Sequence, residues 1–304
     1  MTDRSHDVPA PSVMTVRPAA APADVRLVVA DLDGTLLHGA DTFEGRYITT
    51  RSVDTVERMH RAGYLFAIAT ARPVSTGLAF AERLPVDAVV YLNGALIDFR
   101  PERSDRALLT GARPADPDHL VKIGFPSRRA CDVCRMMLAD MPDLQLGIVM
   151  DDVRYTNFDV SVHWKTQEWR YTDFTDVPDG VADKIIVFPR SDQEPRLRAL
   201  VPDDFDVHVS EGLMWMLMSP ESNKEHALAI LCERLGVRRD QTVAFGDDVI
   251  DVAMMRAAGI GVAVANANPQ ALAAADEICP ANDEDGVAQW IETHLLDMPT
   301  SDRR

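Results

Sequence analysis

An α/β fold, a doubly wound parallel sheet carrying an inserted α+β unit, is what three observations predict. Short apolar runs such as VRLVVADLDG and TVAFGDD end in Asp and Gly, as buried parallel strands do. Amphipathic stretches alternate with these runs in a βαβ rhythm. That rhythm breaks off near residue 96 and resumes near residue 214, in a chain of 304 residues, longer than one average domain. The expected division is a core of residues 25–95 and 214–298, an inserted cap of residues 96–213, and a Pro- and Ala-rich leader of residues 1–24. The leader lacks the apolar stretch of a signal peptide.

Each element has its own signal. After the first strand, Val53, Val56 and Met59 recur at spacings of three, and Gly63 supplies a helix stop. YLFAIATARP is a second buried strand stopped by Pro73, VSTGLAFAERL a short helix and DAVVYLNGA a third strand. In the insert, Pro- and Asp-rich loops separate a helical stretch near 127–141 from LQLGIVM, DKIIVFP and FDVHVS, whose alternation suits a sheet covered on one face. Met214-Trp215-Met216-Leu217-Met218 is expected as core strand returning from the insert. SNKEHALAILCERLG then forms a helix with Ser222 or Asn223 as N-cap. Strand TVAFGDD, helix DVAMMRAAG, strand GIGVAVANA, helix NPQALAAAD, short strand EICP and helix GVAQWIETHLL follow, with a frayed end beyond Met298.

Composition narrows the function classes. Lys and Arg number 31 against 48 Asp and Glu, a net charge of −17, which argues against nucleic acid as a partner. No apolar run approaches the roughly 20 residues a membrane-crossing helix needs. Four cysteines are too few for a disulfide scaffold, and Cys131 and Cys134, despite their CxxC spacing, are expected as helical neighbours in a reduced, cytoplasmic protein. A monomer or homodimer is the expected assembly.

The chemistry lies at strand ends. Asp31-Leu-Asp33-Gly34-Thr35 closes the first strand, and ligands of open α/β sheets bind beyond such ends. Gly246-Asp247-Asp248 closes another strand, with Asp251 four residues after Asp247. If these strands are neighbours, Asp31, Asp33, Asp247 and Asp251 converge, and their repulsion calls for a cation. An all-oxygen set selects a hard divalent ion, for which Mg²⁺ is the expected choice. Thr70 and the Ala71 N–H are placed to meet a phosphate oxygen, and Lys224, opening a helix, to neutralise an anion. His38 is expected as a solvated loop histidine, while His163-Trp164-Lys165 and Trp169-Arg170 could contact a substrate.

Together these motifs resemble the haloacid dehalogenase superfamily, and within it the Cof-type, type IIB hydrolases, over about residues 25–298. DLDGTLL (Asp31–Leu37), Thr70-Ala71-Arg72, YLNGA (Tyr91–Ala95), Lys224-Glu-His-Ala-Leu, Gly246-Asp-Asp-Val-Ile-Asp251, NAN (266–268) and EDGVA (284–288) carry the likeness. The resemblance implies a Rossmann-like core under an α+β cap. It also implies a phosphatase for a small phosphorylated metabolite, a sugar phosphate or similar monoester. In that implied mechanism Asp31 is the nucleophile that forms an aspartyl-phosphate, and Asp33 the acid and then base. Mg²⁺ is then held by the Asp31 carboxylate, the Asp33 carbonyl and Asp247, with Asp251 supporting from behind, and Thr70, Ala71 and Lys224 hold the phosphoryl oxygens. The cap closes over the site and chooses the leaving group.

Three residues depart from the family pattern. Ala71 stands for Gly, Glu225 puts a negative charge beside Lys224, and Ile250 removes an Asn amide. The expectation is altered or reduced activity, since one lost polar contact costs about 1–3 kcal/mol. The alternatives are a sugar phosphomutase-like phosphotransferase and a phosphometabolite-binding protein with a weakened site. A dinucleotide-binding domain is excluded because no G-x-G-x-x-G follows the first strand.

Overall fold

The structure, a computed structural model, describes residues 24–165, 167–210 and 213–297. Of the expected leader, residues 1–23 lie outside the described residues, as does the C-terminal end beyond residue 297. In chain order the strands are β1 (Leu27–Ala30), β2 (Leu65–Ala69), β3 (Ala88–Tyr91), β4 (Leu96–Asp98), β5 (Leu120–Lys122), β6 (Phe125–Pro126), β7 (Gln145–Met150), β8 (Val153–Thr156), β9 (Trp169–Tyr171), β10 (Val181–Ala182), β11 (Lys184–Phe188), β12 (Asp206–Ser210), β13 (Met214–Met218), β14 (Thr242–Gly246), β15 (Ile260–Val264) and β16 (Glu277–Cys279). The helices are α1 (Thr50–Arg61), α2 (Val74–Ala81), α3 (Arg106–Leu109), α4 (Ser127–Asp140), α5 (Glu194–Leu200), α6 (Lys224–Leu235), α7 (Val252–Ala257), α8 (Pro269–Ala274) and α9 (Gly286–Ile291).

Eight strands form the large sheet in the order β16-β15-β14-β1-β2-β3-β4-β5, parallel from β16 to β3. The chain runs outward from β1 through β2 and β3, then returns to place β14 on the other side of β1. That reversal opens a crevice at the carboxyl ends of β1 and β14, the switch point at which α/β sheets bind ligands. Both strands are buried along their whole length, which their unbroken apolar runs require. α1 begins on Thr49, whose side chain accepts from the Ser52 N–H, and ends before Gly63 at φ +94°.

The insert builds a six-stranded, largely antiparallel sheet, β12-β13-β11-β7-β8-β9. One face packs with α4 and α5 into a second core containing Leu146, Ile148, Ile185, Val187, Trp215 and Leu217. The other face is not left to solvent, as its alternation suggested: Val149, Ile186, Met216 and Met218 join the main core instead. Cys131 and Cys134 are buried, free thiols on α4, and burial pushes both pKa values up.

The expected division of the chain differs from the strand pairing at both ends of the insert. β4 and β5, assigned to the insert, extend the large sheet, β4 antiparallel to β3 and β5 antiparallel to β4. The polar loop between them has an insert-like composition, yet a hairpin return needs no crossover, so backbone pairing continues past residue 95. β13, expected as returning core, pairs with β11 and β12 in the smaller sheet. Its apolar run serves both cores, with Trp215 and Leu217 facing one and Met216 and Met218 the other.

α6 delivers Lys224 to the crevice, and Asn223 starts it by accepting the His226 N–H at 2.7 Å. Gly94, at φ +109°, lets this helix start close on the end of β3, since a Cβ there would lie 2.6 Å from the Asn223 carbonyl oxygen. Asn223→Ala is expected to cost about 1 kcal/mol through loss of the cap, with Asn223→Ser restoring most of it. Urea midpoints check this; an unchanged midpoint for the alanine variant contradicts it.

Candidate active site

Asp31 leaves β1 still within the sheet ladder, its N–H donating to the Phe245 carbonyl on β14 at 3.1 Å. The chain then turns sharply, the Leu32 carbonyl accepting from the N–H groups of Thr35, Leu36 and Leu37. Gly34 occupies the left-handed region at φ +79°, and a Cβ on it would lie 2.4 Å from Asp247 Oδ2. Only glycine permits both this backbone and the close approach of Asp247. Thr35 Oγ1 donates to Asp247 Oδ1 at 2.9 Å, and Asn266 Nδ2 to the Gly34 carbonyl at 2.8 Å.

On the facing side, β14 ends at Gly246 and the chain winds into a single turn, Val249–Asp251, before α7. Asp251 Oδ2 accepts from the N–H groups of Asp247 and Asp248 at 3.2 and 3.1 Å, which pins the loop carrying Asp247. Lys224 is buried, its Nζ donating to Asp31 Oδ1 and to Asp251 Oδ1, both at 2.6 Å. Asp31, Asp247 and Asp251 thus present carboxylate oxygens within 4.8 Å of one another.

Burial sets the electrostatics. It pushes the Asp31 carboxyl well above the ordinary carboxylate range; Lys224 opposes that shift, while Asp251 and Asp247 add to it. Burial also lifts Asp247 to about 6, with Asp251 as the next contributor. Burial alone lowers the pKa of a lysine, but Asp251 and Asp31 outweigh it and keep Lys224 charged. Three carboxylates therefore face one ammonium, and negative charge is left in excess. An all-carboxylate donor set with surplus charge suits a hard divalent cation. Asp31 Oδ2 and Asp247 Oδ2 receive no hydrogen bond from the described residues, whereas both oxygens of Asp251 are occupied.

Asp33 does not join this cluster. Arg72 grips its carboxylate as a fork, Nε to Oδ2 and Nη2 to Oδ1, both at 2.6 Å, and Arg46 Nη1 adds a bond to Oδ1 at 2.7 Å. Burial works against ionisation, but the two guanidinium groups outweigh it and hold Asp33 below the usual carboxylate range. The expected meeting of four carboxylates is a meeting of three, because Asp33 has cationic partners of its own. Arg72 lies in a quoted motif without an assigned role, and Arg46 sits in a loop with no motif at all. The Thr35 and Asn266 contacts were likewise unassigned.

Thr70 follows β2, the strand beside β1, and is buried; its Oγ1 accepts from the Arg72 N–H at 3.1 Å, so its own proton remains for another acceptor. The Ala71 N–H has no acceptor among the described residues, and Ala71 itself is exposed. Glu225 is exposed while Lys224 beside it is buried, so its charge points away from the crevice. Ile250 is half-buried, and Thr35 supplies a polar contact to Asp247. His38 is not a solvated histidine: it lies 2.9 Å from Asp285 Oδ1 with its side chain 13% exposed. His163 stacks on Phe188, and Trp164 packs against the main core.

The sequence pattern of the haloacid dehalogenase-like hydrolases matches residues 28–291. The chain is 25% identical to 5-amino-6-(5-phospho-D-ribitylamino)uracil phosphatase YcsE of Bacillus subtilis over 281 residues, 90% of this chain and 97% of that protein. Over 90 residues it is 39% identical to a phosphoglycolate phosphatase of Methanopyrus kandleri, covering 30% of this chain and 39% of the other. Its fold is similar to that of a haloacid dehalogenase-like hydrolase from Bacteroides thetaiotaomicron, with a TM-score of 0.68 at 24% identity over 88% of this chain and 99% of that one. A sugar phosphatase of subclass IIB in the same superfamily gives a TM-score of 0.68 at 19% identity, over 88% and 98% of the two chains. With the family pattern spanning most of its length, this chain belongs to the haloacid dehalogenase-like hydrolase family.

Proposed function

We propose that the protein is a Mg²⁺-dependent phosphomonoester hydrolase that acts on a small phosphorylated metabolite through an aspartyl-phosphate. The observation that carries this reading is the buried convergence of Asp31, Asp247 and Asp251 on Lys224 at the switch point of the sheet. Asp31 Oδ2, the oxygen that Lys224 does not occupy, attacks phosphorus in line, and the bond from phosphorus to the leaving oxygen breaks. Asp33 gives that oxygen its proton. It then takes one from water as the water oxygen attacks the acyl phosphate, which frees Asp31 and inorganic phosphate. Arg72 and Arg46 favour the ionised form of Asp33, the form the second half needs.

Thr70, the Ala71 N–H and Lys224 hold the phosphoryl oxygens, where charge develops. The Asp31 carboxylate, the Asp33 carbonyl and Asp247 would hold Mg²⁺, and Asp251, with both oxygens already bonded, orders Asp247 instead. When bound, the ion supplies charge neutralisation and polarises the phosphoryl oxygens. The inserted unit covers the crevice and selects the leaving group. The ribitylamino-uracil phosphate and phosphoglycolate named for the relatives are both small phosphomonoesters, which supports a sugar phosphate or similar compound here.

Asp31→Asn is expected to lower turnover of p-nitrophenyl phosphate by at least about 1,000-fold while the circular dichroism stays unchanged. Substantial residual turnover sinks the nucleophile assignment. Removing divalent metal with a chelator should stop phosphate release, and added Mg²⁺ should restore it; continued hydrolysis in chelator contradicts the metal role. Ile250→Asn should strengthen phosphate inhibition or raise kcat by up to about 10-fold, one polar contact's worth. No change in either shows that residue 250 is compensated by its neighbours.

A further inference from the structure

α2 begins without a cap of its own. Its N-cap is Pro73, which has no side-chain acceptor for the orphan N–H groups of the first turn. The acceptor arrives instead from the insert. Asp152 Oδ2 accepts the Ser75 N–H at 2.9 Å, and Oδ1 lies 3.3 Å from Ser75 Oγ. Its carboxylate is buried, 3% exposed. Asp151 and Asp152 form the two-residue turn between β7 and β8, both in the left-handed region at φ +54° and +65°. Arg154 Nη1 clasps this tip, donating to the Asp152 carbonyl at 2.6 Å and to its Oδ1 at 3.2 Å. Lys122 on β5 donates to Asp151 Oδ1 at 2.6 Å and fixes the neighbouring residue to the large sheet.

The capped turn leads directly to Asp33. Arg72 Nη1 donates to the carbonyl of Thr76, the residue after Ser75, at 3.1 Å, and the same guanidinium forks onto Asp33. An unbroken run of contacts therefore passes from Asp152 on the insert through Ser75 and Thr76 to Arg72 and Asp33. We infer that Asp152 is a positioning residue for proton transfer: docking of the β7–β8 tip caps α2, steadies Arg72 and so aims the Asp33 carboxyl. The inference rests on the reading of Asp33 as acid and base given above. The insert thereby acts on the chemical step itself as well as covering the crevice.

The test uses leaving-group dependence in the full-length, Mg²⁺-supplemented protein. p-Nitrophenolate departs without a proton, whereas the phenolate of phenyl phosphate, similar in shape, needs one. Asp152→Gly and Asp152→Asn both suit a left-handed turn, so the hairpin survives either change. Asp152→Gly is expected to lower kcat for phenyl phosphate about 10-fold or more and kcat for p-nitrophenyl phosphate less than about 3-fold, with KM little changed, a pattern of lost general acid catalysis. Asp152→Asn, which keeps one acceptor oxygen, should recover much of the loss. Equal losses on both esters, or none on either, overturn the inference. Asp33→Asn serves as the control. If it shows no leaving-group dependence, or if the unaltered protein hydrolyses neither ester, the functional reading fails first and the inference falls with it. Normal behaviour there with an indifferent Asp152 variant refutes the inference alone.

Discussion

A single ammonium group holds the crevice together. Lys224 is buried between Asp31 and Asp251, and without it the carboxylate after β1 would face the two that follow β14 with nothing to offset their repulsion in a largely buried site. The other constraints follow from placing that group. Asn223 must start α6 at the mouth of the sheet, Gly94 must leave room for it, and β14 must lie against β1. Gly34 completes the arrangement by letting Asp247 close on the turn after Asp31. The lysine offsets only part of the acidic charge, so the pocket stays poised for a further cation.

The acidic residues are sorted by their partners. Asp31 and Asp247 keep an oxygen that no described protein group occupies, Asp251 spends both of its oxygens on structure, and Asp33 is drawn aside by two arginines. The same residue type in one cleft thus differs through burial and partners: burial drives the Asp31 pKa up, while Arg72 and Arg46 outweigh burial and hold that of Asp33 down. The departures from the family pattern fit this scheme. Glu225 turns outward, and the Ala71 N–H has no acceptor among the described residues.

The features legible in the sequence were those with local signals. Unbroken apolar runs marked the parallel strands, spacings of three marked α1, and Asp-Gly endings marked where the crevice lies. Thr70, Lys224, Asp31, Asp247 and Asp251 stand out in the sequence because each sits at a strand end or helix start, and the structure brings the last four together. What escaped depended on tertiary partners that no local pattern signals. His38 finds Asp285 across 247 positions, and Arg46 meets Asp33 through a loop without periodicity. β4, β5 and β13 were misplaced because composition reports on solvent exposure, whereas sheet membership is decided by backbone pairing.

A helix whose N-terminal turn is completed by another part of the chain ties the two units to each other. An insert traded between relatives, by recombination or in a designed chimera, would leave α2 capped only if it also brought an acidic turn of the right length to meet Ser75. Grafts lacking that tip would leave the first turn of α2 uncapped, so the inserted unit and the start of α2 are expected to drift as one piece.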